Sequence, residues 1–185
     1  MMQMSRRWGT NRRIGLLIVV GLLLIVGGVV GLQRSNRPDR SAVRAATRNP
    51  SFSLPDLRDP AASPISPERF RGTPIVMNFF FSTCPPCAAE LPRLEHEHRA
   101  HPEVAFVGID HFEPRADGLR IVARSGITYP IGWDETGRVA PTVGAVAFPT
   151  TIFIDRSGIV RKRVLGAITN AELRRNIAAI SRVPS

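Results

Sequence analysis

The stretch that decides the fold is IVMNFFFSTCPPCAAEL, residues 75–91. Its first seven residues form an apolar, aromatic-rich run with the length and composition of a buried β-strand, and the AAEL that ends it is typical of a helix start. Between them lie the only two cysteines of the 185-residue chain, as Cys84-Pro85-Pro86-Cys87. A CxxC pair at a strand-to-helix junction is typical of a dithiol redox centre.

The two cysteines are predicted to have different roles. Cys84 falls at the helix N-terminus, where the helix dipole and free N–H groups favour thiolate over thiol. Cys87 lies one turn further along and can resolve a mixed disulfide formed by Cys84. The two prolines between them carry no N–H, so the N–H of Cys87 is the expected donor to the Cys84 sulfur. A structural disulfide or half of a zinc site is the alternative, although such a short loop is a poor cross-link and no second cysteine pair supplies further zinc ligands.

The positive charge of the chain is concentrated at its N-terminal end. The formal net charge is +10; residues 1–49 carry nine arginines and one acid, whereas residues 50–185 carry sixteen basic and fourteen acidic residues. A nucleic-acid-binding domain would be expected to have a basic face on its folded part. The charge distribution therefore argues against nucleic acid as a partner.

An uncharged run, IGLLIVVGLLLIVGGVVGL at residues 14–32, is long enough to cross a bilayer as a helix. It predicts a single transmembrane anchor in the cell membrane, with residues 1–13 as a cytoplasmic tail and residues 33–50 as an arginine-rich linker. Residues 51–185 then form one domain on the extracytoplasmic side. A cleaved signal peptide is the alternative, but it would have a shorter apolar core and a small-residue cleavage site.

Strands and helices alternate along this domain. The predicted strands are residues 75–81, 104–110, 150–154 and 159–165, and the predicted helices are residues 87–100, 114–125 and 170–181. The sequence DRSG at 155–158 predicts a hairpin turn, with Gly158 suited to positive φ. Helices between the early strands and a late hairpin predict an α/β fold with a mixed central sheet flanked by helices.

Taken in order, these segments resemble the membrane-anchored thioredoxin-like proteins of the TlpA/ResA type, with an AhpC/TSA-redoxin domain. The resemblance rests on FSLPDL at 52–57, FRGTP at 70–74, CPPCAAELP at 84–92, VGID at 107–110, GITYP at 126–130 and FPTTIFID at 148–155. It implies a thioredoxin-like fold and protein thiol–disulfide exchange without a cofactor or a metal. It also implies protein disulfides as substrates, with apocytochrome c of cytochrome c maturation among them, and a membrane dithiol carrier as electron donor.

The resemblance further implies roles for residues outside the cysteine pair. Pro149 matches the cis-proline that lies beside the dithiol, and X–Pro bonds are those that adopt the cis form; a trans proline in a loop is the alternative. Glu90, three residues after Cys87, matches an active-site glutamate that can exchange protons with the dithiol; an exposed helix charge is the alternative. Asn78 stands where thioredoxin has a buried acid, and an amide cannot serve as that base. Thr83 replaces the usual tryptophan, which removes an aromatic contribution to substrate docking.

Two other classes of protein share parts of this pattern. A peroxiredoxin needs a threonine three positions before its reactive cysteine, where this chain has Phe81. A copper chaperone of the Sco type needs CxxxC spacing and a distant histidine, for which His111 is the only loop candidate. His96, His98 and His101 are predicted to be solvated residues of the first helix rather than metal ligands. The absence of a histidine between the cysteines removes a thiolate-stabilising cation and favours a reductant over an oxidant.

Overall fold

The computed structural model describes residues 51–182, which form a five-stranded sheet and its covering helices. The strands are β1 (Ile75–Phe80), β2 (Ala105–His111), β3 (Ile131–Asp134), β4 (Thr150–Ile154) and β5 (Val160–Leu165). The helices are α1 (Pro85–Ala100), α2 (Arg115–Ser125), α3 (Val139–Thr142) and α4 (Asn170–Ser181), with a 3-10 turn at Pro67–Phe70. The predicted tail, anchor and linker lie outside the described residues, and within those residues no helix has the length and hydropathy to cross a membrane.

The sheet has the strand order β3-β2-β1-β4-β5. β1 pairs with β2 in parallel, and β2 pairs with β3 in parallel. β4 runs antiparallel to both β1 and β5. The prediction of a mixed sheet flanked by helices is confirmed. One consequence is that the carboxyl ends of β1 and β2 lie at the same edge as the start of β4.

β1 is the centre of the molecule, and all six of its residues are buried. A strand buried on both faces is apolar rather than alternating, which is why every residue of β1 except Asn78 is hydrophobic. Val76 and Phe80 pack in one hydrophobic cluster with residues of α1, α2 and α4. Met77 and Phe79 pack in a second cluster, which includes residues of α3, on the opposite face.

Most predicted elements are confirmed to within a residue or two at their ends. The first helix begins at Pro85 rather than Cys87, because proline has the φ of a first helical turn and needs no N–H there. β2 extends to His111, so this residue ends a strand rather than lying in a loop. Gly158 has a φ of +80° in the predicted hairpin turn, and Thr169 caps α4 through its side chain.

The sequence patterns do not predict β3 or α3. Each has only four residues, which is too short for a periodic signal. β3 is also stabilised by a remote segment, since Leu57 N–H donates to Ile131 O at 2.8 Å and Trp133 N–H donates to Pro55 O at 2.9 Å. Residues 54–57 thereby cover this edge of the sheet, whereas the opposite edge is β5, with the sequence VRKRVL.

Gly118 of α2 provides a test of how tightly the helix lies on the sheet. At an unhindered helix position, alanine is more favourable than glycine by about 1 kcal/mol. A Cβ at position 118 would instead overlap the Asp110 carboxyl and lie 2.6 Å from its Cγ. We expect Gly118→Ala to lower the free energy of unfolding in urea by about 1–3 kcal/mol. In an Asp110→Ala background, Gly118→Ala should change the free energy of unfolding little or increase it. A gain in stability from Gly118→Ala in the wild-type background would contradict the close packing of Gly118 against Asp110.

Candidate active site

Cys84 and Cys87 are joined by a disulfide, with their Cα atoms 5.2 Å apart. Cys84 is the N-cap of α1, and its sulfur accepts a hydrogen bond from the Cys87 N–H at 3.2 Å. This is the donor that the two intervening prolines predict. Both cysteines are buried, while Pro85 and Pro86 are exposed at the first two positions of the helix. Among the first three residues of α1, only Cys87 has an N–H group, and this group points at the sulfur of Cys84.

Pro149 lies immediately before β4, at the sheet edge where β1 ends. The Phe148–Pro149 peptide bond is cis, so the predicted geometry of Pro149 is confirmed. The pairing of Phe79 with Thr150 fixes the start of β4 beside the end of β1. The cis-proline loop and the strand that leads to Cys84 thus share one edge.

Glu90 is buried rather than exposed, which excludes the reading of a solvated helix charge. Its Oε1 accepts hydrogen bonds from Asn78 Nδ2 at 2.9 Å and from Thr151 Oγ1 at 3.2 Å. Its Oε2 accepts a hydrogen bond from the backbone N–H of Ile168 at 2.7 Å. Helix α1 therefore sets one carboxyl group among β1, β4 and the segment before α4, one turn beyond Cys87.

The pKa of Glu90 is raised above its ordinary value. Burial is the main cause, and the hydrogen bonds from Ile168, Thr151 and Asn78 oppose it only in part because they favour the charged form. Asn78 does not replace the missing acid of β1; it donates to an acid supplied by α1. Thr151 was not a predicted site residue, although its position two residues after Pro149 on a buried strand is the signal that could have found it.

A second buried acid, Asp110, lies near the carboxyl end of β2, beside the end of β1. It was also not predicted. It is fully buried on β2, and no N–H or O–H within residues 51–182 donates to either of its oxygens. Burial, followed by the neighbouring Glu113 carboxyl, raises the pKa of Asp110 to about 9. Glu113 in turn accepts a hydrogen bond from Ser82 N–H at 2.8 Å and another from Ser82 Oγ. Ser82 belongs to the loop that leads to Cys84.

Aromatic rings pack around Phe148, the residue before the cis-proline. The ring of Phe148 stacks on His111 with a centroid distance of 4.6 Å and meets Phe81 edge-on at 5.4 Å. Phe112, next to His111, has 69% of its surface exposed. Thr83, which stands in place of the family tryptophan, is exposed. The aromatic groups near this edge therefore come from three other segments of the chain.

One prediction about the helix histidines is wrong. His98 is half-buried rather than solvated, because its ring packs against Phe106 at 5.5 Å and Tyr129 at 5.6 Å. His96 is exposed as predicted, whereas His101 is half-buried and follows the last residue of α1, near the carboxylates of Glu97 and Glu103. Within residues 51–182, no three histidine, cysteine, aspartate or glutamate side chains are grouped so that they could hold a metal ion.

Comparison with known proteins gives the family. A profile of the AhpC/TSA family matches residues 45–163. The chain belongs to the AhpC/TSA family. It is 35% identical over 158 residues to the thiol:disulfide interchange protein DsbE of Xylella fastidiosa, covering 84% of this chain and 76% of the relative. It is 32% identical over 133 residues to the thiol-disulfide oxidoreductase ResA of Halalkalibacterium halodurans, covering 71% and 74%. The chain is a thiol–disulfide oxidoreductase of the ResA and DsbE type.

Solved structures of this family have the same fold. A secreted disulfide oxidoreductase of Mycobacterium tuberculosis that is homologous to DsbE matches with a TM-score of 0.63 and 25% identity, over 70% of this chain and 96% of that one. A thiol:disulfide interchange protein DsbE from Chlorobium tepidum, described as putative, matches with a TM-score of 0.66 and 20% identity, over 72% and 95%. The thioredoxin-like fold implied by the sequence is confirmed.

The position of Glu90 leads to a prediction about the thiols. A carboxylate close to a forming thiolate raises the thiol pKa, because two like charges disfavour each other. In the reduced full-length protein, Glu90→Gln should therefore lower the pKa of Cys84 or Cys87, measured by thiolate absorbance. Some loss of stability is also expected, since an amide cannot accept all three hydrogen bonds without turning its NH₂ group towards a donor.

Glu97→Gln is the matched control for this change. Glu97 lies two turns further along α1, is also buried, and pairs with Arg174 rather than with groups near the cysteines. It should leave the thiol titration unchanged. Superimposable titration curves for wild type and Glu90→Gln would remove Glu90 from proton exchange with the dithiol.

Proposed function

We propose that this chain reduces disulfides in partner proteins on the extracytoplasmic side of the cell membrane, with Cys84 as the attacking thiol and Cys87 as the resolving thiol. The observation that carries the proposal is the Cys84–Cys87 disulfide at the N-terminus of α1, with the Cys87 N–H donated to the Cys84 sulfur. A sulfur in this position is stabilised as a thiolate by the helix dipole and by that hydrogen bond. The thiolate is the nucleophile of thiol–disulfide exchange.

The reaction transfers two electrons from the dithiol to the partner. The Cys84 thiolate attacks one sulfur of the partner disulfide, so that a mixed disulfide forms and the other partner sulfur leaves as a thiolate. Cys87 then loses its proton and attacks the Cys84 sulfur, which breaks the mixed disulfide and releases the second partner thiolate. The chain ends with the Cys84–Cys87 disulfide that is described above, and the partner ends as a dithiol.

Two features favour reduction over oxidation as the working direction. A dithiol is a strong oxidant when its reduced form is stabilised, as by a cation beside the thiolate. The residues between the cysteines are prolines, which supply no such cation. Glu90 lies one turn beyond Cys87, and Glu113 accepts two hydrogen bonds from Ser82, two residues before Cys84. Negative charge on such carboxyl groups disfavours a thiolate.

Glu90 is proposed to exchange protons with the dithiol during this cycle. Its raised pKa brings its proton equilibrium closer to neutral pH, where a proton-transfer group is most effective. Pro149 is proposed to contact the partner segment beside the disulfide. Apocytochrome c as the substrate and a membrane dithiol carrier as the electron donor rest on the family resemblance alone, whereas the names of the relatives support exchange with protein disulfides in general.

Trapping of mixed disulfides tests the assignment of the two thiols. In Cys87→Ser the mixed disulfide cannot be resolved, so the variant should accumulate covalent complexes with partner proteins. Cys84→Ser should accumulate almost none, because Cys87 is held within the first turn of α1 and is the more buried thiol. Non-reducing gels of cells that express each variant measure the difference. Equal trapping by both variants would contradict the assignment, and peroxide consumption or copper binding by the wild type would favour the peroxiredoxin or Sco alternative.

Membrane attachment is a separate prediction from the uncharged run at residues 14–32. We expect the full-length chain to stay with the membrane fraction after carbonate washing, since a span of this length is held by the hydrophobic effect rather than by charge. A protease added from the outer side should digest the domain. Recovery of a soluble form that begins after residue 32 would show a cleaved signal peptide instead.

A further inference from the structure

The loop between β1 and α1 leads to the attacking Cys84, and one side chain from another segment, that of Glu113, accepts hydrogen bonds from the first part of this loop. Ser82 lies two residues before Cys84, and both its N–H and its hydroxyl donate to the Glu113 carboxylate. Glu113 follows β2, so this contact joins the ends of two neighbouring strands. Hydrogen bonds to a carboxylate are stronger than those between neutral groups, so Glu113 fixes the approach of the chain to Cys84.

The Glu113 carboxyl is also a hydrogen-bond neighbour of Asp110 and, after burial, the largest cause of the raised pKa of that acid. Asp110 is fully buried, and α2 approaches it so closely that a Cβ at Gly118 would overlap its carboxyl group. No N–H or O–H of the described residues donates to it. An isolated buried carboxylate without a donor is very costly, so the group is far more stable as a neutral acid. A neutral acid has a proton to donate, and the adjacent Glu113 carboxyl is the acceptor beside it.

The other charged groups around Asp110 are also acidic. Asp117 faces it from α2 and Asp134 faces it from β3, while β1 contributes Phe80. Asp117 pairs with Arg120, and Asp134 accepts the backbone N–H groups of Arg138 and Val139. His111 lies 3.5 Å from Asp134 rather than at Asp110. The carboxylates of Asp117 and Asp134 therefore have partners of their own, and these partners donate nothing to Asp110. The negative charge of the two neighbours further favours the neutral form of Asp110.

We propose that Asp110 is a neutral acid whose proton is shared with Glu113, and that this carboxyl pair positions the loop that leads to Cys84. The proposal deepens the function given above and rests on it for the role of Cys84. Asp110 and Glu113 are positioning residues, which act on the thiol through Ser82. Loss of the contact would free the loop, weaken the hydrogen bond from Cys87 N–H to the Cys84 sulfur and raise the pKa of the Cys84 thiol.

Two substitutions of Glu113 separate position from charge. Glu113→Gln and Glu113→Ala both remove the negative charge, but only glutamine keeps an oxygen that can accept the Ser82 N–H. In the reduced full-length protein, we expect the Cys84 pKa to be higher in the alanine variant than in the glutamine variant by about one pH unit, the scale of one charge-assisted hydrogen bond. Thiolate absorbance measures this difference. Identical thiol titrations for the two variants would overturn the positioning role.

The protonation of Asp110 is tested by the pH dependence of stability in the oxidised protein, whose cysteines do not titrate. Asp110 has a higher pKa in the folded chain than in the unfolded chain, so its contribution to stability is present at low pH. That contribution is lost progressively as the pH rises from about 4 to about 9. Asp110→Asn cannot ionise, and its amide can still donate to Glu113. Over this pH range the free energy of unfolding of Asp110→Asn in urea should therefore fall less steeply than that of the wild type. The difference between the two slopes should correspond to about one bound proton per molecule.

Asp117→Asn is the matched control, because it removes a carboxylate from the same cluster that is partly exposed and paired with Arg120. The free energy of unfolding of Asp117→Asn should fall with rising pH as steeply as that of the wild type. Parallel profiles of unfolding free energy against pH for wild type and Asp110→Asn would overturn the assignment of Asp110 as a neutral acid. These measurements need no partner protein, so they stay decisive if the trapping experiment contradicts disulfide reduction.

Discussion

The direction of β4 is the constraint on which the rest of the site depends. β1 and β2 are parallel, so their carboxyl ends meet at one edge, and β4 runs the opposite way beside β1. The start of β4 is therefore brought to the edge where β1 ends. If β4 ran parallel to β1, Pro149 would lie at the far side of the sheet from Cys84. The loop to α1, the cis-proline and the end of β2 share one edge because of this single reversal.

Glu90 and Asp110 show how the same degree of burial leads to two different electrostatic outcomes. Both carboxyl groups belong to the helix-covered side of the sheet, and both have a raised pKa because of burial. Glu90 receives three hydrogen bonds, which offset part of the cost of its charge. Asp110 receives none from N–H or O–H groups of the described chain. Glu90 is therefore suited to gaining and losing a proton, whereas Asp110 is suited to keeping one.

The sequence predicts features that are encoded locally. The buried strand, the CxxC pair, the hairpin turn and the start of α4 each depend on neighbouring residues, and each was confirmed within a residue or two. The cis form of Pro149 could be expected only through the family resemblance. The contact of Glu113 with Ser82 joins residues 31 positions apart, and nothing in either local sequence indicates it. The burial of Glu90 likewise depends on a donor 78 positions away. Such partners are set by the topology of the sheet and not by periodicity.

Within residues 51–182, β5 is an edge strand with no further strand beside it, and its sequence affects how two copies of the chain can meet. An unpaired edge strand offers its N–H and C=O groups to any other strand, which is a common route to aggregation. Arg161, Lys162 and Arg163 stand in a row on this strand. Arg161 pairs with Asp155, and Arg163 donates to Val143 O, so Lys162 is the cation of this row that would face the same strand of a second copy approaching in an antiparallel direction. Like charges on facing strands repel. The other edge is covered by backbone from residues 54–57, so one edge is protected by chain and the other by charge.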